Sequence, residues 1–251
     1  MCAYKNSPLA IETVKKLIAV KVERQSALLK KYRQESLKTK IDQRLSLTDV
    51  LLEEGRVAQK FWKEFGNLVP NLNFLSRRPR GSDIANKLLD VGYHHLTNVV
   101  RKILEKYNVP ADIGILHVAR NSDSAPLAYD LVEMFRADIV DAEVLRFLRL
   151  KKKSIDKVES EVPHFLHEIN ERLERKYYLK DFGVCHSYRY YMEVQILKFV
   201  KAVNHKQVFE PVKLPSRHES RCDLTSDITS DRIVPELGIG SEKNIQALEP
   251  V

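Results

Sequence analysis

The chain has 251 residues, 43% of them hydrophobic, with 42 Lys+Arg against 34 Asp+Glu, a net +8 and a pI near 9.2. That is enough apolar material for a sizeable core, no run approaches the ~20 apolar residues of a membrane span, and the Met-Cys-Ala-Tyr-Lys-Asn start lacks the apolar centre of a signal peptide. A soluble, cytoplasmic protein is expected, and Cys2, Cys185 and Cys222 lie too far apart, with no CxxC pair, to indicate a disulfide framework or a zinc knuckle.

The charge is uneven along the chain. From Lys213 onward there are five basic and seven acidic residues, a net −2, which leaves +10 on residues 1–212. Such a field attracts polyanions, and a phosphate backbone gains most from it through counterion release.

Ser7-Pro8 supplies a cap and a first-turn proline, after which Ile11, Val14, Ile18, Val22, Leu28, Leu29 and Tyr32 recur at helical spacing. A long helix over about 8–34 is predicted. A second helix follows Thr48-Asp49 through Val50, Val57, Phe61 and Phe65, with Gly55 in its interior; a glycine there costs about 1 kcal/mol against alanine, which points to a close approach. Pro70 to Gly81 is a basic loop, and Ser82-Asp83 caps a helix over about 83–107. Ile113-Gly114-Ile115-Leu116-His117 leads into a polar loop before Pro126 opens a helix to about 150, ended by Lys151-Lys152-Lys153, where cations complement the carbonyl-rich terminus. Helices over about 162–180 and 186–205 follow, and almost no strand alternation is visible, so the fold class is all-α. Past Phe209-Glu210-Pro211 the composition turns to scattered Ser, Thr, Asp and Pro, as in a disordered tail. The expected organisation is a long N-terminal helix and linker over 1–42, a helical metal-dependent catalytic domain over 43–212, and the tail over 213–251.

Phosphodiester chemistry at neutral pH needs an activated oxygen nucleophile and neutralisation of charge on the phosphoryl oxygens; a hard cation in oxygen-rich ligands supplies both. Asp130 and Glu133, three apart on a helix, project from one face, Glu54 comes from an earlier helix and His117 from the loop between. Taken singly, each has a plainer reading: Glu54 a solvated helix residue, Asp130 and Glu133 a surface pair answering Arg136, and His117 a packed or capping side chain. His164 and His167, three apart with no third ligand nearby, are assigned a surface or packing role.

Four phrases in order carry a resemblance: Glu54-Gly55-Arg56-Val57-Ala58, Asn86-Lys87-Leu88-Leu89-Asp90-Val91-Gly92-Tyr93, Pro110-Ala111-Asp112-Ile113-Gly114-Ile115-Leu116-His117, and Leu127-Ala128-Tyr129-Asp130-Leu131-Val132-Glu133-Met134-Phe135-Arg136. Together they resemble the CRISPR-associated adaptation integrases, the Cas1 family, most densely from Thr48 to Asp141 and more loosely from Pro8 to Pro211. The resemblance implies an antiviral-defence enzyme, a metal-dependent DNA endonuclease and integrase that joins the 3′-hydroxyl ends of short captured DNA to a CRISPR repeat by transesterification. It implies Glu54, His117 and Glu133 as ligands of manganese or magnesium, with Asp130 as a support or occasional ligand. Imidazole among hard oxygen ligands suits manganese better than calcium, and exchange between phosphodiesters requires no nucleotide cofactor.

Around that site, Arg56, Arg77, Arg78, Arg80, Arg136, Arg146, Arg149, Lys151, Lys152 and Lys153 are candidates for holding the DNA backbone, and Tyr93 for stacking on a base, with a core tyrosine as the plainer alternative. The expected partners are double-stranded DNA with 3′-hydroxyl ends, CRISPR repeat DNA, further copies of the chain in a dimer or tetramer, and a small Cas2-type subunit. Family members usually begin with a β-rich domain of roughly 80–100 residues that helps build the dimer; nothing before Ser7 supplies it, which leaves a natural short form, a truncated gene or a fragment, and the full set of carried-over site residues favours a compact, active form. Two rival readings remain: a transposon-borne integrase of the same lineage, and a basic helical DNA-binding or assembly module whose catalysis has decayed.

Overall fold

The computed structural model describes residues 2–5, 7–39, 41, 46–70, 74–119, 124–150, 158–179 and 184–212. The all-α expectation holds, with a single two-stranded sheet among the described residues. After the short α1 (Cys2–Lys5), α2 spans Pro8–Lys31. Pro8 starts it as expected, but the Ser7 hydroxyl donates to the Tyr4 carbonyl at 2.6 Å and does not cap the helix. One face of α2 buries Val14, Leu17, Ile18, Val22, Leu28 and Leu29, the apolar stripe of an amphipathic helix. The same helix also buries Lys21, Arg24 and Gln25, groups that need partners inside the fold.

Helix α3 (Leu47–Asn67) starts at a capping box: Asp49 N donates to Ser46 Oγ at 3.2 Å and Ser46 N to Asp49 Oδ2 at 3.3 Å. Its Phe61, Trp62 and Phe65 form an aromatic cluster with Phe74. Open space surrounds Gly55, so the close approach that its position suggested is not made by any described part of the protein. Helix α4 (Ile84–Lys106) is capped by Asp83, whose Oδ1 accepts from Asn86 N at 2.9 Å.

The single helix expected over 126–150 is broken. Helix α5 (Pro126–Val132) gives way to turns over 133–135, then a π-helical turn, Ala137–Asp141, and then α6 (Ala142–Leu150). The wide turn packs on α2, α4 and α7. A Cβ on Gly92 of α4 would lie 2.5 Å from Val140 Cγ1, so glycine is what lets α4 come this close to it.

Helix α7 (Val158–Glu174) ends sooner than its pattern suggested, because Lys176–Leu179 (β1) pairs antiparallel with Val184–Ser187 (β2) before α8 (Tyr188–Asn204) begins. Tyr177 and Tyr178, flanked by Gly183 further on in the sequence, were the available strand signal. The closing segment docks: Tyr191 donates to the Val212 carbonyl at 2.6 Å, Val212 N to Gln195 Oε1 at 3.1 Å, and Phe209, fully buried, sends its N–H to Thr13 Oγ1 at 3.2 Å. Among the described residues, buried side chains of α2 belong to one hydrophobic cluster with those of α3 to α8. The tail over 213–251 lies outside the described residues. No described helix is long and apolar enough to cross a membrane.

Candidate functional site

The loop before α5 wraps around one carboxylate. Asp130 Oδ2 accepts from Ile115 N at 2.5 Å and Leu116 N at 3.1 Å, while Oδ1 accepts from His117 N at 2.9 Å and lies 2.7 Å from His117 Nδ1. Four contacts occupy both oxygens of a buried group, which makes Asp130 a positioning residue in this structure. A Cβ on Gly114 would come within 2.8 Å of Asp130 Oδ2 and 2.7 Å of the His117 carbonyl, so the loop closes this tightly only over a glycine. Since a carboxylate only accepts, His117 Nδ1 carries a proton, and in the neutral ring Nε2 keeps its lone pair. The bond to Asp130 raises the imidazole pKa above its ordinary value against the effect of burial. Tyr129, half exposed, meets the His117 ring edge to face at 5.9 Å.

A cavity of about 200 Å³ is lined by Val14, Leu17, Ile18, Lys21, Glu54, Leu116, His117, Asp130 and Glu133. The four residues singled out in the sequence therefore converge from α3, the 113–117 loop and the α5 end. Between the two glutamates sits a residue that the sequence reading missed. Lys21 Nζ of α2 lies 2.5 Å from Glu54 Oε1 and 2.7 Å from Glu133 Oε2. Glu133 Oε1 is held by Arg136 at 2.8 Å. Burial pushes the Glu133 carboxyl up, but Arg136 and Lys21 outweigh it and hold it at about 2.

Behind Glu133, Arg136 also donates to the Tyr93 hydroxyl at 2.9 Å and lies 4.3 Å over the Tyr93 ring, and Tyr93 donates to Asp141 of the π-helical turn. Burial lifts Asp141 to about 6, despite Arg136 and Tyr93. On the same π-helical turn, Arg24 grips Asp138 with two bonds of 2.8 and 2.9 Å, and the Tyr188 hydroxyl donates to Asp138 Oδ2 at 3.1 Å. Lys21, Arg24 and Asp141 were legible in principle: charged residues interrupting apolar helical stripes are the signal.

Among the described residues, no three His, Cys, Asp or Glu side chains stand arranged to hold a metal ion, and the Lys21 ammonium lies between the two glutamates. The donor types nonetheless suit a hard divalent cation: two carboxylates and an imidazole with a free nitrogen line one cavity, with Glu54 Oε1 and Glu133 Oε2 both facing the Lys21 ammonium.

The basic candidates divide. Arg78 and Arg80 are exposed on a loop whose backbone is tied to α4, Arg78 N to Asn86 Oδ1 and Arg80 N to Asp90 Oδ2, both at 2.8 Å. Arg56 is exposed but pairs with Glu53 at 2.7 Å, and exposed Arg149 lies 5.2 Å over the Tyr32 ring. Arg77 pairs with Asp90, Arg146 with Glu143 and Glu168, and Arg136 with Glu133. Arg77, Arg136 and Tyr93 are partly buried and each makes contacts within the protein, Arg77 with Asp90, Arg136 with Tyr93 and Tyr93 with Asp141. Lys151, Lys152 and Lys153 lie outside the described residues.

The family profile described as CRISPR associated protein Cas1 matches residues 1–177. The CRISPR-associated endonuclease Cas1 of Mycobacterium tuberculosis is 31% identical over 147 residues, 53% of this chain and 43% of the relative. The CRISPR-associated endonuclease Cas1 1 of Francisella tularensis subsp. novicida is 29% identical over 179 residues, 64% of this chain and 56% of the relative. The chain thus spans about half the length of the curated relatives it matches. Among solved structures, a casposase bound to integration product superimposes with TM-score 0.70 at 22% identity, covering 87% of this chain and 68% of that one. A Cas1 protein from Thermotoga maritima gives TM-score 0.66 at 19% identity over 80% of this chain and 68% of that one. Both likenesses concern the fold.

Proposed function

The chain belongs to the Cas1 family of CRISPR-associated proteins, and from that premise we propose that it is a divalent-metal-dependent DNA endonuclease and integrase of CRISPR adaptation. Its substrates in this reading are short duplexes with 3′-hydroxyl ends and a CRISPR repeat, joined by transesterification. The carrying observation is the convergence of Glu54, His117, Asp130 and Glu133 from three separated segments on one cavity in a basic protein. Relatives that bear the endonuclease name support the activity. The solved Cas6-RT-Cas1–Cas2 complex, covering 83% of this chain at TM-score 0.64 and 17% identity, is consistent with assembly beside a small Cas2-type subunit and further copies of this chain.

Glu54, His117 and Glu133 would hold manganese or magnesium, which when bound would supply Lewis-acid stabilisation of charge on the phosphoryl oxygens and of the attacking hydroxylate. The protein's own contribution is positional. Asp130 fixes the 115–117 backbone and the imidazole tautomer, so that Nε2 is the nitrogen left for a ligand. Arg136 immobilises one oxygen of Glu133 and leaves the other toward the cavity. Exposed Arg78 and Arg80 would grip backbone phosphates.

The test incubates the purified protein with manganese or magnesium, 3′-hydroxyl duplexes and a supercoiled plasmid bearing the repeat, beside Glu54→Ala and His117→Ala. Metal-dependent joined products that vanish in both variants are expected. DNA binding without joining, the same in wild type and variants, would instead favour a binding module.

A further inference from the structure

Lys21 presents a problem that the metal reading leaves open. Its side chain is 10% exposed, it rises from the middle of a long helix, and its ammonium lies within 2.7 Å of carboxylate oxygens from two different elements. Apposed carboxylates repel, and removing both from water without a counter-charge is costly. In the structure the Lys21 ammonium supplies that counter-charge between the two carboxylates, with Arg136 on the far oxygen of Glu133.

Resting on the metal reading, we propose that the Lys21 ammonium is the resident cation of this site: it bridges Glu54 and Glu133 in the metal-free protein and is displaced when the divalent ion enters, so that Lys21 sets the metal affinity. Three observations carry this. The bridge joins two of the three carried-over ligands, both lining the same cavity as His117. The ammonium faces Glu54 Oε1 at 2.5 Å and Glu133 Oε2 at 2.7 Å, so it occupies the position between the two carboxylates that a divalent ion shared by them would take. Arg136 fixes Glu133 Oε1, so the carboxylate keeps its place after the lysine departs. Residue type matters as well: an ammonium is a compact charge on a flexible four-carbon stem and retracts by rotation, whereas a guanidinium fork would lock both carboxylates.

Displacement lowers the apparent affinity by the fraction of molecules whose seat is free. The experiment titrates the full chain with Mn²⁺ alone by calorimetry and records thermal unfolding with and without Mn²⁺, for wild type, Lys21→Met, Lys21→Gln and Lys21→Arg. Lys21→Met and Lys21→Gln should bind Mn²⁺ at least about tenfold more tightly and melt lower than wild type only without metal, while Lys21→Arg should bind more weakly. Wild-type binding with unchanged or weaker affinity in Lys21→Met and Lys21→Gln overturns the displacement and leaves the metal reading standing. A melting loss of equal size with and without Mn²⁺ reduces Lys21 to a structural pair and also overturns it. No Mn²⁺ binding in any of the four proteins overturns both readings.

Discussion

Glu54 and Glu133 share a single lysine at the wall of a cavity, whereas Glu143 on α6 is held by two arginines, Arg172 of α7 at 2.9 Å and Arg146 at 2.6 Å, with Arg146 reaching on to Glu168. Both groups neutralise buried acids. The arginines are planar forks that match carboxylates and, once packed, are slow to exchange, so the second group fastens α6 to α7. The lysine is a single exchangeable charge, and its carboxylates gather around space in place of packed side chains. The same ion-pair chemistry thus closes one part of the molecule and keeps another available for a different cation.

Breaking the closed group should have the largest effect on stability. Arg172→Met leaves Glu143 buried with one partner, and urea unfolding should show a loss of about 3–5 kcal/mol, the same with and without Mn²⁺; a loss below about 1 kcal/mol would erase the contrast. Asp130→Asn comes next. The amide replaces one accepting oxygen among four contacts, so about 2 kcal/mol of stability should go and DNA joining should fall about 10–100-fold as the imidazole loses its orientation. Equal stability with undiminished joining would show that Asp130 does not organise the site.

The smallest effect is a pH dependence behind the cavity. Asp141 is held at about 6, above its ordinary 3.8, so its neutral form favours the fold; that contribution is complete below 3.8 and lost as pH rises through about 6. Glu133, held at about 2 against 4.5, works the other way: its contribution is present above 4.5 and disappears as pH falls through about 2. Asp141→Asn fixes the neutral form. Relative to the variant, wild-type stability should therefore decline between about pH 4 and 6 and then level off; parallel curves across that window would mean that Asp141 titrates normally.

Helices α2, α3 and α4 were legible because each carries a long apolar stripe and a recognisable first turn, signals local enough to survive without tertiary context. The π-helical turn was not, since residues 126–150 keep a helical pattern throughout and the widening accompanies contacts with α2, α4 and α7, including the narrow passage beside Gly92. The β1–β2 pair hid for a related reason: strands of four residues offer too few alternations to outweigh the helices flanking them. The internal partners of Arg77, Arg136 and Tyr93 were not legible either, because residue type records charge and aromaticity but not burial.

What the sequence by itself determined is the all-α class and the basic body, properties carried by local pattern and residue type, while Glu54, His117, Asp130 and Glu133 were singled out through the four ordered phrases that resemble the Cas1 family. Only the tertiary structure decided that Asp130 spends its oxygens on a backbone loop and a histidine ring, that Arg136 braces Glu133, and that Lys21 stands between the two glutamates. The physical reason is that a buried charge takes its role from the partner it meets, and Lys21 lies 33 residues from Glu54, a distance in sequence that only the packing of α2 on α3 and the π-helical turn brings to bonding range.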